Sequence, residues 1–321
     1  MKKIFNFTKY YKKFNVASLI LIFLSLLLLM FKGLDFGVDF KGGTLIEIRS
    51  ENNTVNIAQI RQSFNKMKLG EVNVKKFGKE NDYLVKIQLR ESNNPNFISE
   101  INQKLSADLG SSINFRRVEN VGPKVSGELL RAGLLAVFLS LAAMLFYIWI
   151  RFEWQFSLAA IAAIVHDVII TVGLFSFFSY EINLSIVAAL LTIVGYSMND
   201  TVVIFDRIRE NLRKYTKIPI SEISNTSTNE TLSRTIITSV TTLLALFSIY
   251  FFGGEILKGF SFAMIVGVVI GTYSSIFVAT PILNYTNVDS KAVLKTDVYI
   301  KFNINFVPLP LTEALVTIAK C

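Results

Sequence analysis

The sequence predicts an α-helical membrane protein with six transmembrane helices and a small extracytoplasmic α+β domain between the first two helices. The first observation is hydropathy: 52% of the 321 residues are hydrophobic and the mean hydropathy is +0.47, well above that of soluble globular chains. The second is a set of six apolar stretches, each near the ~20 residues that a helix needs to cross a bilayer. The third is a polar segment after the first stretch, in which strand-like and helix-like patterns alternate.

The first apolar stretch, residues 16–31, follows five lysines. A signal peptide also begins basic and then apolar, but this stretch is followed by Lys32, Gly33 and Leu34 instead of a small-residue cleavage site. We therefore expect a retained signal-anchor helix. The other five predicted spans are residues 130–150, 157–178, 184–205, 235–252 and 259–283.

Lysine and arginine are concentrated on one side of the predicted membrane. The loop after the fourth span carries Arg207, Arg209, Arg213, Lys214 and Lys217. By contrast, residues 179–183 carry no basic residue and residues 253–258 carry only Lys258. The positive-inside rule then places both termini in the cytoplasm and the segment between the first two spans outside. These flanking charges explain the net charge of +9, and because no basic–aromatic groove pattern accompanies them, no nucleic-acid partner is expected.

The outer segment has a regular order of elements. Strand-like alternation marks residues 44–50, and apolar residues at helical spacing follow over residues 55–68. Two further strands are joined by a short turn at residues 79–81, a second amphipathic helix ends at Gly110, and residues 113–121 close as a strand. The order βαββαβ predicts a ferredoxin-like domain. No nucleophile with a base is found in it, so we expect a binding or mechanical role, with a mere spacer as the alternative.

The composition argues against an enzyme. Cys321 is the only cysteine and His166 the only histidine, so neither an intrachain disulfide nor a thiolate or zinc centre is expected. No glycine-rich loop with a Lys-Ser/Thr pair is present, and the glycines of "GGT" at residues 42–44 are too few to form one. We therefore expect no metal, no cofactor and no nucleotide hydrolysis.

Polar residues recur in phase on the third and fourth spans. Asp167, with His166 beside it, shares a helix face with small residues of the third span. On the fourth span, Asn199 completes a small, polar face, and Asp200 lies about 100° round from that face. The remaining members of the fourth-span face are Ser185, Ala188, Thr192 and Gly195. Such faces are expected inside a helix bundle and not against lipid.

The fifth span repeats the pattern, beginning at Arg234 and continuing through Thr238, Thr241, Ala245 and Ser248. Small polar stripes alone favour close helix packing over an ion path. An unpaired carboxylate in hydrocarbon costs roughly 2.5–3.5 kcal/mol, so adding Asp167, Asp200 and Arg234 to the stripes reverses that preference. Because the fourth and fifth spans are antiparallel, we expect Asp200 and Arg234 at similar depth, on either side of a long loop at residues 206–234. We expect the carboxylate alternately to pair with the arginine and to take up a proton; a static salt bridge that only holds the helices together is the alternative.

The sixth span has small residues at every fourth position. They are Gly259, Ala263, Gly267, Gly271, Ser275 and Ala279. Such a row allows the backbone of a neighbouring helix to approach closely, as at GxxxG crossings. Whether the neighbour that packs on Gly267 and Gly271 belongs to this chain or to another is left open.

Several motifs, in the same order, resemble those of the SecF family. They are "FGVDFKGGT" (36–44), "VGPKVSGEL" (121–129), "HDV" (166–168), "GYSMNDTVVIFDRIREN" (195–211), "RTIITS" (234–239) and "GTYSSIFVATPIL" (271–283). SecF is the smaller membrane subunit of the bacterial SecDF accessory to the Sec translocon, within the RND superfamily. The resemblance covers about residues 10–285.

The resemblance implies a role in protein export at the bacterial inner membrane. It implies pairing with SecD, contact with the SecYEG channel and often YajC, and use of the proton-motive force to help unfolded polypeptide leave the channel. It also ties Asp200 and Arg234 to proton passage, and we add Asn199, Asp167 and His166 to that candidate path. Two alternatives remain: a structural partner that only stabilises SecD and the channel, and an RND-type exporter of small molecules.

The chain divides into four parts on these grounds. Residues 1–35 hold the cytoplasmic N-terminus and first span, residues 36–128 the outer domain, residues 129–284 a five-helix bundle, and residues 285–321 a cytoplasmic tail. The tail has no counterpart in the family pattern, and its role and authenticity are left open.

Overall fold

The structure is a computed structural model that describes residues 5–51, 55–70, 72–76, 81–88, 96–286 and 288. Most of the turn expected at residues 79–81 and nearly all of the C-terminal tail lie outside these residues. A 3₁₀ turn, Thr8–Tyr10, leads into α1. The next elements in chain order are α1 Tyr11–Phe31, β1 Asp35–Phe36, α2 Val38–Lys41, β2 Gly43–Ser50, α3 Ile57–Lys66, β3 Val72–Lys76, β4 Asp82–Ile87, α4 Phe97–Leu109 and β5 Ile113–Val121.

The rest of the described chain is almost entirely helical. Its elements are α5 Pro123–Arg151, α6 Trp154–Phe178, β6 Glu181–Ile182, α7 Leu184–Lys214, α8 Ile220–Phe252, α9 Glu255–Ser274, a turn of π-helix at Ser275–Ala279, and α10 Thr280–Tyr285. Six helical stretches are long and apolar enough to span a membrane, which confirms the predicted membrane class.

The α+β domain has the predicted βαββαβ order. Its antiparallel sheet runs β3-β4-β2-β5, the strand order of a ferredoxin-like fold. One face of the sheet packs on α3 and α4 through a buried core that includes Ile46, Val85 and Phe64. The other face, with Leu45 and Leu84, is only half-buried. This uncovered face of the sheet turns toward the helix bundle.

Local signals in the sequence explain where the domain helices begin and end. Asn56 caps α3: its side chain accepts from the Ala58 amide at 3.3 Å, while the Gln59 side chain accepts from the Asn56 amide at 2.8 Å. Gly110 terminates α4 with a φ of 58°, the left-handed conformation that glycine adopts without a steric penalty.

The helix bundle is built around α6 and α9. Both pack against several other spans, and about half of the apolar stretch of each is buried. In contrast, α1 and α5 expose large apolar side chains such as Phe23, Leu134 and Phe138, which suits a lipid-facing surface. The interior is therefore formed mainly by α6, α7 and α9.

The predicted loop at residues 206–234 is wrong. Instead, α7 continues to Lys214 and α8 begins at Ile220, which leaves only a short connection. With 31 residues, α7 is about 46 Å long at 1.5 Å per residue, well beyond the ~30 Å hydrocarbon thickness. Hydropathy marks only the part of a helix that contacts hydrocarbon, so the polar extensions of both helices went undetected.

The α+β domain is fastened to the connection between α6 and α7, residues 179–183, which we call the hairpin tip. Strand β1 pairs in parallel with β6 in the tip, and the Gly37 amide donates to the Ile182 carbonyl at 2.8 Å. Asp39 accepts from the Leu184 amide at the start of α7 at 2.9 Å. We call this end of the bundle the domain end, and the opposite end, where α7 meets α8, the basic end.

A pair of glycines joins α2 to the sheet. Gly42 and Gly43 have φ values of 75° and 127°, which disfavour any residue with a side chain. A Cβ on Gly43 would lie 2.6 Å from the Ile87 carbonyl oxygen, so the strand pairing itself excludes a larger residue. The glycines thus have a backbone role that the sequence analysis did not identify.

Candidate functional site

Asp167 lies near the middle of α6 and is 1% exposed. Its Oδ2 accepts from the Ser197 hydroxyl of α7 at 2.5 Å and from the Ser274 hydroxyl of α9 at 2.8 Å. Its Oδ1 is 2.8 Å from Nδ1 of the neighbouring His166. The carboxylate therefore joins the three central helices through hydrogen bonds to both of its oxygens.

His166 extends this network toward α1. Its ring stacks on that of Tyr273, with the ring centroids 6.0 Å apart. The Tyr273 hydroxyl donates to the Phe14 carbonyl of α1 and lies 2.8 Å from the Ser18 hydroxyl. Nε2 of His166 is buried and has no hydrogen-bond partner among the described residues. Here the imidazole links the carboxylate to the first span.

The crossing of α7 and α9 depends on glycines. A Cβ on Gly267 would lie 2.3 Å from Ile193, and a Cβ on Gly271 would lie 2.9 Å from Ser197. Both helices therefore approach closely only because α9 lacks side chains at these positions. The neighbour of this small-residue row belongs to the same chain.

The crossing also brings hydroxyls of α7 and the C-terminal end of α9 into contact with each other. Ser275 donates to the Gly271 carbonyl at 2.8 Å, and its hydroxyl lies 2.8 Å from that of Thr201 on α7. The π-turn begins at Ser275, and the Thr280 hydroxyl donates to the Ser275 carbonyl at 2.8 Å, five residues back. Single π-turns inside α-helices are frequent at functional sites because they offset the side chains of the next turn.

Asp200 forms a separate and weaker arrangement on the other side of α9. It is 3% exposed, and its Oδ2 is 3.5 Å from the Thr272 hydroxyl, at the long limit for a hydrogen bond. Thr272 in turn lies 2.7 Å from the Ser239 hydroxyl of α8. The carboxylate is thus buried with little hydrogen bonding from the residues that the structure describes.

The structure does not pair Asp200 with Arg234. Arg234 is exposed, and within the described part of the chain its guanidinium forms neither a hydrogen bond nor an ion pair. Asn199 is also exposed, one residue round the helix from the buried Asp200. The five residues of the predicted path therefore fall into three places: His166 with Asp167, Asp200 alone, and Arg234 with Asn199 on the surface.

The small polar faces of α7 and α8 lie on the open surface of this chain, although the sequence places them inside a bundle. On α7 the exposed members are Ser185, Ala188, Thr192, Gly195 and Asn199. On α8 they are Arg234, Thr241, Ala245 and Ser248, with Thr238 half-buried. We call this surface the open face. Small and polar residues on a transmembrane helix allow another helix to pack closely against it. They are therefore expected to face a helix and not lipid.

The basic end contains a buried ion pair that the sequence analysis did not identify. Arg209 of α7 is 2% exposed and donates to Glu153 at 3.2 Å and to the Arg151 carbonyl at 3.1 Å. Its guanidinium also lies over the Phe152 ring, 5.3 Å from the centroid. In the sequence, Arg209 appeared only as one of the basic residues that mark membrane orientation. Its partners lie in the connection between α5 and α6, so no local pattern indicates the ion pair.

Comparison with known proteins identifies the same regions. The family described as "Protein export membrane protein SecD/SecF, C-terminal" matches residues 101–289, and the "SecD/SecF GG Motif" matches residues 27–54. The chain is 45% identical over 281 residues to "Protein translocase subunit SecF" of Cereibacter sphaeroides, covering 85% of this chain and 86% of the relative. It is also 45% identical over 280 residues to the protein of the same name in Rickettsia bellii, covering 87% and 92%.

Two solved structures share the fold. The crystal structure of SecDF, a translocon-associated membrane protein from Thermus thermophilus, superposes with a TM-score of 0.79 at 35% identity over 88% of this chain. SecDF in a super-membrane-facing form superposes with a TM-score of 0.66 at 34% identity over 94% of this chain. This chain spans only 38% and 40% of the length of those solved chains.

Proposed function

This chain belongs to the SecF family of protein translocase subunits, and on that premise we propose that it uses the proton-motive force to promote export of unfolded polypeptide across the bacterial inner membrane. It would act as one subunit of SecDF, with SecD as its direct partner and the SecYEG channel, with YajC, as the assembly that it serves. The domain end would face outward and both termini the cytoplasm, as the distribution of basic residues indicates.

The observation that carries this proposal is Asp200, a carboxylate buried within a membrane-spanning helix with one long hydrogen bond and no ion pair in the described chain. Such a group has no ion-pair partner among the described residues, and gain or loss of its proton changes the charge by one unit. Moving one charge across 100 mV is worth about 2.3 kcal/mol, which is sufficient to shift the balance between two conformations.

The open face supports a helical partner. An exposed amide and guanidinium, Asn199 and Arg234, flank the small residues that permit close helix approach. A second bundle docked here would cover both groups and supply Arg234 with acceptors, which it does not find among the residues that the structure describes. SecD fits that role because the solved SecDF chains are more than twice the length that this chain covers.

A purely structural role is the competing function, and one observation favours it. Asp167 already has a hydrogen-bond donor or imidazole on each oxygen, as expected of a group that only holds helices together. The two functions differ in what they predict for Asp200, which has no comparable set of partners.

The test is export by vesicles that contain SecYEG and the whole SecDF complex, with the proton and sodium gradients imposed separately. We expect export to rise when the gradient drives protons toward the cytoplasmic face of the membrane. At a constant proton gradient, export should not depend on the sodium gradient. Export that responds to neither gradient would refute ion coupling. Export that responds to the sodium gradient alone would refute coupling to protons.

A further inference from the structure

A cleft separates the uncovered face of the sheet from the domain end of the bundle. Its volume is about 540 Å³. Leu45 and Leu84 of the sheet form one wall. The other is formed by Phe178 at the end of α6, Tyr180 in the hairpin tip and Ile256 at the start of α9. The centre of the cleft is thus apolar, and both walls belong to this chain.

The rim of the cleft is charged but balanced. Four acidic and four basic side chains line it, among them Glu47, Glu119, Lys76 and Arg117. An anionic lipid headgroup would call for a clear excess of positive charge, which is absent here. Apolar contacts with charges of both signs suit a ligand whose side chains vary along its length.

Strand β5 adds a backbone surface to one wall. It forms the edge of the sheet, and its partner strand β2 occupies only one of its sides. On the other side, no backbone hydrogen bond to β5 is found among the described residues. An extended chain can therefore add as a further strand, with main-chain hydrogen bonds that do not depend on sequence.

The opposite wall is connected to the buried carboxylates. The hairpin tip joins α6, which carries Asp167, to α7, which carries Asp200. The sheet is held to this tip by Glu181, whose carboxylate lies 3.1 Å from Lys75 and 3.7 Å from Lys86. The sheet is therefore joined directly to the hairpin that carries both carboxylates.

We propose that this cleft binds an extended segment of the translocating polypeptide, and that movement of the α6–α7 hairpin sets how tightly the cleft closes on it. The inference rests on the proposed export function and adds the place where the substrate is held. Its occupant is an unfolded chain of any sequence, bound along β5 with side chains against the apolar walls.

Site-specific photocross-linking tests the location. The photoreactive residue p-benzoylphenylalanine is placed at Leu84 and, in a second variant, at Leu45, within the full SecDF complex in vesicles that hold a stalled export substrate. The matched control replaces Lys104, which is exposed on α4 on the other side of the sheet. We expect a several-fold higher yield of substrate adduct from both cleft positions than from Lys104, and a change in that yield when the proton gradient is removed.

Equal yields from the cleft and from Lys104, or adducts with lipid alone at Leu84 and Leu45, would overturn the proposal. Cross-linking that ignores the proton gradient would overturn the role of the hairpin. Export is measured in the same vesicles, so export that follows the gradient without cleft adducts removes only this inference and leaves the proposed function standing.

Discussion

Asp167 and Asp200 are both buried, yet their hydrogen-bond surroundings differ. Asp167 has contacts with the hydroxyls of Ser197 and Ser274 and with His166, which join three helices through its two side-chain oxygens. Asp200 has a single long contact with Thr272. We therefore expect the proton that does work to be taken up at Asp200, while Asp167 preserves the junction.

The sequence identified both carboxylates, because an acidic residue inside an apolar run is conspicuous. It did not give the partners. Whether Asp200 meets Arg234 depends on the rotation of α8 about its own axis, and α8 presents Arg234 on the open face. The partner of Arg209 was likewise not predictable, because Glu153 lies 56 residues away in the chain.

At the residue scale, Arg234→Lys should leave the isolated subunit as stable as before but reduce export. The charge is retained, whereas the planar fork that binds a carboxylate or carbonyls at two points is lost. The loss of one charge-assisted hydrogen bond, about 1.5 kcal/mol, corresponds to roughly a tenfold fall in the rate of gradient-driven export. Export is measured in vesicles and stability by thermal unfolding in detergent.

Arg131→Lys on α5 is the control, because Arg131 is exposed and belongs to a helix that contributes no residue to the open face. Export at the normal rate from the Arg234 variant would show that only the charge matters there. A large loss of stability in the isolated subunit would place Arg234 in the fold and not in the partner surface.

The elements differ in how much of each was predictable. The strands and helices of the α+β domain follow from alternation, helical spacing and terminal residues such as Asn56 and Gly110, and their order is confirmed. The ends of α7 and α8 and the π-turn after Ser274 were not predictable from hydropathy. Those features depend on packing beyond the hydrocarbon and on hydroxyl contacts between helices, which no local pattern records.

The glycine crossing gives an element-scale prediction. Gly267→Ala should lower the stability of the subunit by about 1–3 kcal/mol, because a methyl group there overlaps Ile193 of α7 and forces the helices apart. Gly195→Ala is the matched control, with open space around its added Cβ, and should be neutral or slightly stabilising since alanine is the better helix former. Thermal unfolding of the isolated subunit measures both. Equal stability of the Gly267→Ala and Gly195→Ala variants would show that α7 and α9 do not cross closely at Gly267.

A second element-scale prediction concerns the attachment of the α+β domain to the hairpin tip. Lys86 lies 3.7 Å from Glu181 in the tip and donates to the Phe36 carbonyl at 2.9 Å. Lys86→Gln removes the charge from both contacts, which for a partly exposed pair is worth about 1 kcal/mol or less. Amide hydrogen exchange in residues 35–41 and 179–183 should then accelerate, by up to about fivefold. Lys104→Gln should leave that exchange unchanged, and equal protection in both variants would argue against a latch at Lys86.

At the scale of the whole molecule, the arrangement suits transfer of movement from the membrane to the domain end. Both carboxylates lie on one hairpin, and the tip of that hairpin holds the α+β domain. The sequence predicted the membrane class and the domain, but not their attachment, because β1 and β6 have two residues each and no pattern of their own. The open face of α7 and α8 likewise becomes interpretable only once the bundle is seen to leave it uncovered.

Removal of the domain tests its contribution as a unit. Deleting residues 44–118 and joining the ends with a short linker should leave membrane insertion and pairing with SecD intact, since the open face is on other elements. Export should fall because the wall that faces the hairpin tip is gone. Alkylation of single cysteines reports insertion, co-purification reports pairing, and vesicle assays report export. Unimpaired export would identify the domain as a spacer.

The central claim is that Asp200 couples the proton gradient to export, and Asp200→Asn tests it most directly. Asparagine keeps the shape of the side chain but cannot exchange a proton, so the variant should fold, co-purify with SecD and lose gradient-driven export in vesicles with SecYEG. Asp200→Glu should retain part of the activity, and Asp206→Asn, less than two turns further along α7 but exposed and paired with Arg151, should retain nearly all. Normal gradient-driven export by the Asp200→Asn complex would contradict the account and leave the carboxylate with a structural role.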